Sequence, residues 1–353
     1  MYAGKRIRVL IIDDSLMFRT AIAKSLEQDP QLEVAGTASG AFDAKDKISS
    51  LAPDVITLDV EMPGMSGIDF LKTVMPKHPI PVIAVSGADS MVFEAMRAGA
   101  VDFIAKPEDS EMAAFSRELA SKIKIASVAR LVGPILRDPT SAKRGPVPCS
   151  PLEALTGDCG KNMLVAIGAS TGGTEATSRI LKALPAGMPG IVIVQHMPPV
   201  FTQMYAERLD RETLLTVHEA QDGMPILAGH AYVAPGDAHL RVARRGAELI
   251  AKVGGTEKVS GHCPSVNVLF ESVAEVMGNR SVGILLTGMG ADGATGLLRM
   301  KEKGAYTIGQ DKQSSVVYGM PMEAMKLGAV LREAPLEAIP GALLEQLKRP
   351  IRP

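Results

Sequence analysis

Residues 165–176 read VAIGASTGGTEA, an apolar run that ends in a glycine-rich turn holding one serine, Ser170. The apolar run predicts a strand, and the TEATSRILKAL segment after it predicts a helix with its apolar residues on one face. Gly168, Gly172 and Gly173 permit a sharp turn, since glycine reaches backbone angles that other residues avoid. Two interpretations are open: the glycines only let a strand turn into a helix, or the turn displays Ser170 as a nucleophile.

Length and composition limit the class of protein. At 353 residues the chain is longer than one typical domain and predicts two. With 46% hydrophobic and 22% charged residues, it has the composition of an ordinary globular protein. No apolar run is long enough to cross a bilayer, and the start MYAGKRIRVL has no signal-peptide core, so we expect a cytoplasmic protein.

Charge and cysteine content argue against two further classes of site. A formal net charge of -1 gives no basic footprint for nucleic acid. Cys149, Cys159 and Cys263 are scattered without the spacing of metal ligands, which predicts reduced thiols, and we assign them no function.

The first part of the chain alternates short apolar runs with amphipathic stretches. The clearest predicted strands are IRVLIID, DVITLDV, IPVIAVSG and AVDFIAKP. This alternation is typical of βαβ units, and the continuous β-branched runs favour a parallel sheet covered on both faces. Because ligands of such sheets bind beyond the carboxyl ends of the strands, the residues after each run are the candidate site.

Those strand ends carry a set of residues suited to phosphoryl chemistry. They are Asp13 and Asp14, Asp59, Ser86 and Lys106. Carboxylates gathered at one edge repel one another, and a cation with oxygen ligands such as Mg²⁺ offsets that repulsion. Asp59 would then attack phosphorus, while Lys106 and Ser86 would contact phosphoryl oxygens. Each aspartate taken singly is equally explained as a turn or helix cap.

The set resembles the receiver domain of two-component response regulators over about residues 5–125. The resemblance implies a flavodoxin-like fold with a five-stranded parallel sheet over residues 1–125. It also implies that Asp59 is the phosphoacceptor, that the Glu61 carbonyl joins the aspartates in holding Mg²⁺, and that Phe103 is the aromatic switch residue. Ser86 and Lys106 complete the switch.

Composition changes after the first domain. Residues 126–160 are rich in Pro, Gly, Ser, Lys and Arg, which predicts a solvated linker or, alternatively, a basic docking segment for an acidic partner. A second series of strands and helices follows over 161–353 and predicts a doubly wound, mostly parallel α/β domain. The turn formers Pro235, Gly236 and Asp237 predict an antiparallel β-hairpin within it.

Ser170 has candidate partners at other strand ends. GASTG fits the G-x-S-x-G pattern of a nucleophile elbow, in the strand-to-helix context that the pattern requires. His196 follows the run GIVIV one strand later, as a general base or as a capping histidine. Asp292 lies in the glycine-rich loop after a third apolar strand, as the third triad member or as part of a phosphate loop. That loop also offers the Met289 N–H as an oxyanion donor.

IGASTGGTEA, QHMP and LLTGMGADG, in this order behind a receiver, closely resemble the chemotaxis protein-glutamate methylesterase family over nearly the whole chain. The resemblance implies hydrolysis of glutamate γ-methyl esters, and deamidation of glutamines, on cytoplasmic helices of chemoreceptors. Ser170, His196 and Asp292 would form the triad, with Met289 and Thr171 at the oxyanion and no cofactor for the ester reaction.

The same resemblance implies regulation and partners. A chemotaxis histidine kinase would phosphorylate Asp59, and the unphosphorylated receiver would cover the triad. We expect a monomer that neither binds nucleic acid nor inserts into a membrane.

Two other classes of function stay open at this point. The second domain could bind DNA or a partner without catalysis, as the output of a response regulator. It could also bind a nucleotide with GASTGG as a phosphate loop, although the G-x-G-x-x-G register is missing.

Overall fold

The computed structural model describes residues 5–74, 76–87, 91–107, 111–131 and 162–349. Its contacts divide the chain into two compact units, residues 1–144 and 145–353. Most of the predicted linker 126–160, with Cys149 and Cys159, lies outside the described residues. The domain limits at residues 125 and 161 therefore stay predictions.

The first unit contains a five-stranded sheet in the order β2-β1-β3-β4-β5, in which all pairings are parallel. The strands are β1 Ile7–Ile12, β2 Leu32–Ala38, β3 Val55–Asp59, β4 Val82–Ser86 and β5 Asp102–Ala105. The helices are α1 Leu16–Leu26, α2 Ala41–Leu51, α3 Gly67–Val74, α4 Met91–Arg97 and α5 Met112–Ala126. The predicted parallel five-stranded sheet is confirmed.

Burial explains why the strands of this unit read as continuous apolar runs. Every residue of β3 and β4 is buried, because helices cover both faces of the sheet. In the register, Asp59 pairs with Val85 and Ser86 pairs with Ala105. The strands thus end nearly level, and the polar residues after them collect at one edge.

The second unit contains a seven-stranded sheet, β14-β13-β12-β6-β7-β9-β8, with parallel pairings throughout, and a separate two-stranded sheet, β10-β11. The strands are β6 Leu164–Ala169, β7 Gly190–Gln195, β8 Thr216–Glu219, β9 His230–Val233, β10 Leu240–Arg245, β11 Glu248–Val253, β12 Ser281–Leu285, β13 Tyr306–Gln310 and β14 Arg332–Ala334. The helices are α6 Gly173–Lys182, α7 Phe201–Glu212, α8 Val266–Met277, α9 Ala294–Glu302, α10 Met320–Lys326 and α11 Ile339–Leu347. Short 3-10 helices cover Gly278–Arg280 and Leu336–Ala338.

The antiparallel hairpin exists, but its predicted position is wrong. The strands on either side of Pro235, Gly236 and Asp237 do not pair with each other, because β9 stays in the parallel sheet beside β7 and β8. The hairpin joins β10 to β11, with Gly246 at φ +64 in the turn. Burial separates the two strands: β9 is buried along three of its four residues, whereas β10 alternates and then becomes exposed.

The strands β12, β6 and β7 form the centre of the second sheet, and all their residues are buried. The loops that follow these three strands carry the candidate catalytic residues. None of the helices in the described part of the chain is long and apolar enough to span a membrane.

Candidate active site

Ser170 directly follows β6, on a turn fixed by backbone hydrogen bonds. Its N–H donates to the Thr287 carbonyl at 3.0 Å, and its carbonyl accepts from the Gly173 N–H at 2.7 Å. Gly172 has φ +76, and a Cβ built on it would lie 2.7 Å from the Val316 side chain. Both conditions require glycine there. Helix α6 begins at Gly173, so the N-terminal end of its dipole lies next to Ser170.

His196 lies beside Ser170 because β6 and β7 are adjacent and in register. Ala169 pairs with Gln195, and the His196 N–H donates to the Ala169 carbonyl at 3.1 Å. The Gln195 amide nitrogen donates to the carbonyls of Ser170, at 2.9 Å, and His196, at 3.2 Å. This buried amide joins the two loops. The sequence interpretation gave Gln195 no role.

Asp292, the predicted third member of the triad, contacts His196. The His196 Nε2 atom lies 2.8 Å from Asp292 Oδ2, and the carboxylate is buried. Three further donors reach this carboxylate: the Ser265 hydroxyl at 2.8 Å, the Val266 N–H at 2.7 Å and the Asn267 N–H at 3.1 Å. Val266 and Asn267 open helix α8, so Asp292 caps a helix from another loop.

The donors around Asp292 decide its charge. Burial alone would raise the pKa of this carboxyl, but hydrogen bonds from His196, Val266 and Ser265 outweigh burial and hold the pKa below its ordinary value. Asp292 is therefore ionised at neutral pH and suited to orient an imidazole and stabilise an imidazolium. A serine before an apolar helical run is a helix-start signal, so the run SVNVLF offered a way to find this helix end.

The remaining ring nitrogen of His196 is the candidate base. Its Nδ1 atom is buried and has no hydrogen-bond partner among the described residues. The expected hydrogen bond between His196 and the Ser170 hydroxyl is therefore not formed in this structure. Catalytic hydrogen bonds are often loose before substrate binds, and the adjacent strands β6 and β7 hold Ser170 and His196 close together.

The loop after β12 closes over Ser170. A Cβ built on Gly288 would lie 2.7 Å from the Ser170 Cβ, so only glycine allows this approach. The Thr287 hydroxyl donates to the Thr171 carbonyl at 3.0 Å and ties this loop to the turn after Ser170. Within the described residues the Met289 N–H has no acceptor. Thr171 and Met289, the predicted oxyanion residues, thus lie on the two segments that flank Ser170.

The first unit brings its predicted residues together at the edge of its own sheet. Lys106 Nζ lies 2.6 Å from Asp59 Oδ2 and 3.1 Å from Asp13 Oδ2, and both carboxylates are buried. Oxygen atoms of Asp13, Asp14 and Asp59 lie within 4.8 Å of one another. Clustered carboxylate oxygens of this kind fit Mg²⁺.

The charge balance at this edge is incomplete. Burial, and next the charge of Asp13, raise the pKa of Asp59 to about 6, although the Lys106 hydrogen bond lowers it. The Ser86 hydroxyl is fully buried and has no hydrogen-bond partner among the described residues. A site with an excess of carboxylate and an unpaired hydroxyl is suited to a divalent cation together with a phosphoryl group.

The other two predicted residues of the first unit have distinct environments. The Glu61 N–H donates to Asp59 Oδ1 at 3.1 Å, which places the Glu61 backbone beside the carboxylate cluster. Phe103 is buried and meets Phe93 edge to face, with ring centroids 6.3 Å apart.

Two known families match different segments of the chain. The sequence model of the CheB methylesterase family matches residues 165–343, and that of the response regulator receiver domain matches residues 9–114.

Relatives extend over almost the full chain. A protein-glutamate methylesterase/protein-glutamine glutaminase of Syntrophomonas wolfei is 47% identical, covering 98% of this chain and 99% of the relative. A protein of the same description from Pseudomonas aeruginosa is 46% identical, covering 97% of each chain. The crystal structure of the Thermotoga maritima CheB methylesterase catalytic domain is 37% identical, with a TM-score of 0.51, and covers 52% of this chain and 98% of that domain.

Proposed function

The chain belongs to the CheB methylesterase family, with a response regulator receiver domain ahead of the catalytic domain, and on this premise we propose that it hydrolyses glutamate γ-methyl esters on chemoreceptors. Deamidation of receptor glutamines at the same site is the second proposed activity, as in the names of its relatives. The observation that carries the proposal is the 2.8 Å contact between His196 and a buried, ionised Asp292, one strand from Ser170.

We assign each step to a residue. The Ser170 hydroxyl attacks the ester carbonyl, and its proton passes to His196 Nδ1, the nitrogen that Asp292 leaves available. The N–H of Met289, with Thr171, stabilises the tetrahedral oxyanion. His196 then gives the proton to the departing methoxide oxygen, which leaves as methanol. Water attacks the acyl-enzyme while His196 takes its proton, and that proton passes to the Ser170 oxygen as the glutamate is released. Asp292 keeps the imidazole oriented throughout.

The receiver domain is the proposed control element. Receiver domains are phosphorylated on an aspartate with Mg²⁺ as the cofactor, and the acidic cluster of this chain fits that chemistry. Asp13, Asp14 and Asp59, with the Glu61 carbonyl, are the residues that would hold Mg²⁺, which would neutralise charge on the incoming phosphoryl group. Asp59 would accept the phosphoryl group from a histidine kinase, while Lys106 and Ser86 would contact its oxygens.

In this proposal the phosphorylated receiver activates the esterase, and the reaction takes place in the cytoplasm on receptor helices. A charge added at one site changes a two-state contact elsewhere in the chain. The family assignment favours this function over a DNA-binding output or a nucleotide-binding domain.

The test is methanol release from methylated chemoreceptor membranes. We would compare the wild type with Ser170→Ala, each with and without Mg²⁺ and a small-molecule phosphodonor. We expect release by the wild type that rises with the phosphodonor, and none above background for Ser170→Ala, while receiver phosphorylation is equal in both. Release by Ser170→Ala would remove the serine from the mechanism. Methanol release that does not change with the phosphodonor would refute activation by the receiver and leave the proposed esterase mechanism intact.

A further inference from the structure

A second histidine lies against the candidate base. The imidazole of His262 stacks on that of His196, with ring centroids 3.8 Å apart and an angle of 11° between the planes. This is nearly parallel contact over the ring face. His262 is half-buried.

The backbone holds His262 in this position. Val259 and His262 exchange backbone hydrogen bonds of 3.0 Å in each direction, which closes a two-residue turn over Ser260 and Gly261. Ser260 has φ +54 and Gly261 has φ +85, the left-handed pair that a type I′ turn requires. A residue other than glycine in this conformation indicates that surrounding contacts fix the turn.

The turn is tied to the same carboxylate that orients His196. The Asn267 side chain donates to the Ser260 hydroxyl at 3.0 Å, while the Asn267 N–H donates to Asp292 at 3.1 Å. The Asn267 side-chain oxygen also accepts from the Gly296 N–H at 2.8 Å, which fixes the amide. Asn267 thus hydrogen-bonds both to Asp292 and to the turn that carries His262.

The His196 ring needs such a contact. Rotation about the bond to a histidine ring is soft, and a hydrogen bond at one nitrogen leaves the ring able to rock about that bond. A flat group across one face restricts this motion. The nitrogen opposite Asp292 then keeps its direction, and that direction decides how well the Ser170 proton is transferred.

We propose that His262 is a positioning residue for the general base: its ring stacks on His196 and holds the imidazole with Nε2 on Asp292, so that Nδ1 stays available to take the proton of Ser170. The inference rests on the proposed function for its kinetic consequence, and on the stacking geometry alone for its effect on the His196 ring. It requires a flat ring at position 262 and does not require a second basic nitrogen.

The experiment compares full-length wild type, His262→Ala and His262→Phe. Phenylalanine keeps a flat ring without the nitrogens. His218→Ala is the matched control, because His218 is also half-buried and stacks on a histidine, His230, with centroids 5.3 Å apart. It lies on β8 at the edge of the same sheet, away from the central strands.

Two readouts are needed. The first is kcat and KM for methanol release from methylated receptor membranes. The second is the downfield proton NMR signal of the His196 N–H that is bonded to Asp292, which reports the ring orientation whether or not the protein is an esterase.

We expect His262→Ala to lower kcat by roughly 10- to 100-fold, the scale of a misaligned catalytic group, while KM changes by less than about two-fold. His262→Phe should recover most of this loss, and His218→Ala should match the wild type. The downfield signal should disappear by exchange in His262→Ala and persist in the other two variants.

Wild-type kcat in His262→Ala, or a signal that persists in it, would refute the positioning role. A loss in His262→Phe equal to that in His262→Ala would also refute it, since the ring nitrogens and not the stack would then matter. If the wild type releases no methanol while the signal still depends on the ring, the proposed function fails and the positioning of His196 stands.

Discussion

Asp59 and Asp292 occupy similar positions and differ in charge state. Each is buried at the carboxyl edge of a parallel sheet, with 1% and 2% of its surface exposed. The pKa of Asp59 is raised to about 6, whereas the pKa of Asp292 is lowered. Burial opposes the charge of both, so the difference comes from their partners.

The partners show what each carboxylate can do. Asp292 accepts from a histidine, a hydroxyl and two helix N–H groups, and its oxygen atoms are fully used. Asp59 accepts from one lysine and one backbone N–H while a second carboxylate, Asp13, lies close by. A saturated carboxylate orients its neighbours, and an under-neutralised one is ready to take a cation and a phosphoryl group.

The largest expected effect comes from breaking the saturated site. Asp292→Asn replaces a pure acceptor with an amide that must turn an NH₂ group toward at least one donor. We expect a loss of about 10⁴-fold in kcat for methanol release, as when the orienting carboxylate of a triad is removed. Steady-state kinetics on methylated receptor measures it. A loss of only a few-fold would show that Asp292 is structural.

The same substitution has a pH-dependent effect on stability. The folded pKa of Asp292 lies below the ordinary aspartate pKa of 3.8, so its contribution to stability is present above pH 3.8 and is lost as pH falls through the folded pKa. We expect Asp292→Asn to reduce the free energy of unfolding at neutral pH by about 1–3 kcal/mol, and the difference to shrink in acid. Denaturant unfolding over a pH series measures this, and a difference independent of pH would contradict it.

A second prediction concerns the loop that closes over Ser170. In Gly288→Ala the new Cβ would lie 2.3 Å from the Met320 sulfur and 2.7 Å from the Ser170 Cβ, so the nucleophile must move. We expect kcat to fall about 100-fold, the usual effect of a displacement near 1 Å. Gly187→Ala is the control, because nothing lies within 4 Å of its Cβ. Equal activity of the two variants would show that the loop after β12 can shift to accommodate the new Cβ without displacing Ser170.

One physical rule explains why several residues of both sites could be predicted from the sequence. Parallel strands end at one edge, so Asp59, Lys106, Ser170 and His196 could be grouped from the residue that follows each apolar run. Hydrogen-bonding partners could not be found in that way. Gln195 lies inside a strand pattern, and Asn267 reaches Asp292 from 25 residues away through a backbone N–H.

For a related reason, the sequence could not predict which two strands form the hairpin. Pro235, Gly236 and Asp237 form a turn in either topology, and local turn chemistry does not say whether the next strand pairs with the last one. Burial of β9 between β7 and β8 decides it, and this is a property of the whole sheet.

A smaller change tests how many donors Asp292 needs. Ser265→Ala removes the hydroxyl that lies 2.8 Å from Asp292 Oδ1 and leaves His196 and the two helix N–H groups in place. We expect a decrease in kcat of about ten-fold or less, corresponding to one hydrogen bond of about 1 kcal/mol. A decrease as large as that of Asp292→Asn would mean that the hydroxyl itself takes part in the reaction.

The smallest expected effect is a gain in stability, opposite in sign to the effect of Asp292→Asn, and it tests the contrast between Asp59 and Asp292 directly. For Asp59 the folded pKa of about 6 exceeds the ordinary aspartate pKa of 3.8, so its favourable contribution to stability is present below pH 3.8 and is lost as pH rises through about 6. At neutral pH without Mg²⁺ the ionised carboxylate therefore destabilises the receiver. Asp59→Asn should make it more stable by about 1–2 kcal/mol, with Lys106 still paired to Asp13.

Hydrogen exchange of the β3 amides in the full-length protein, wild type against Asp59→Asn, measures this difference. Added Mg²⁺ should slow exchange in the wild type more than in Asp59→Asn and narrow the gap, because a bound cation stabilises only the state that holds it. Faster exchange in Asp59→Asn without Mg²⁺ would mean that the Lys106 ion pair outweighs burial. Asp59 would then be a saturated carboxylate like Asp292, and the contrast between the two edges would be lost.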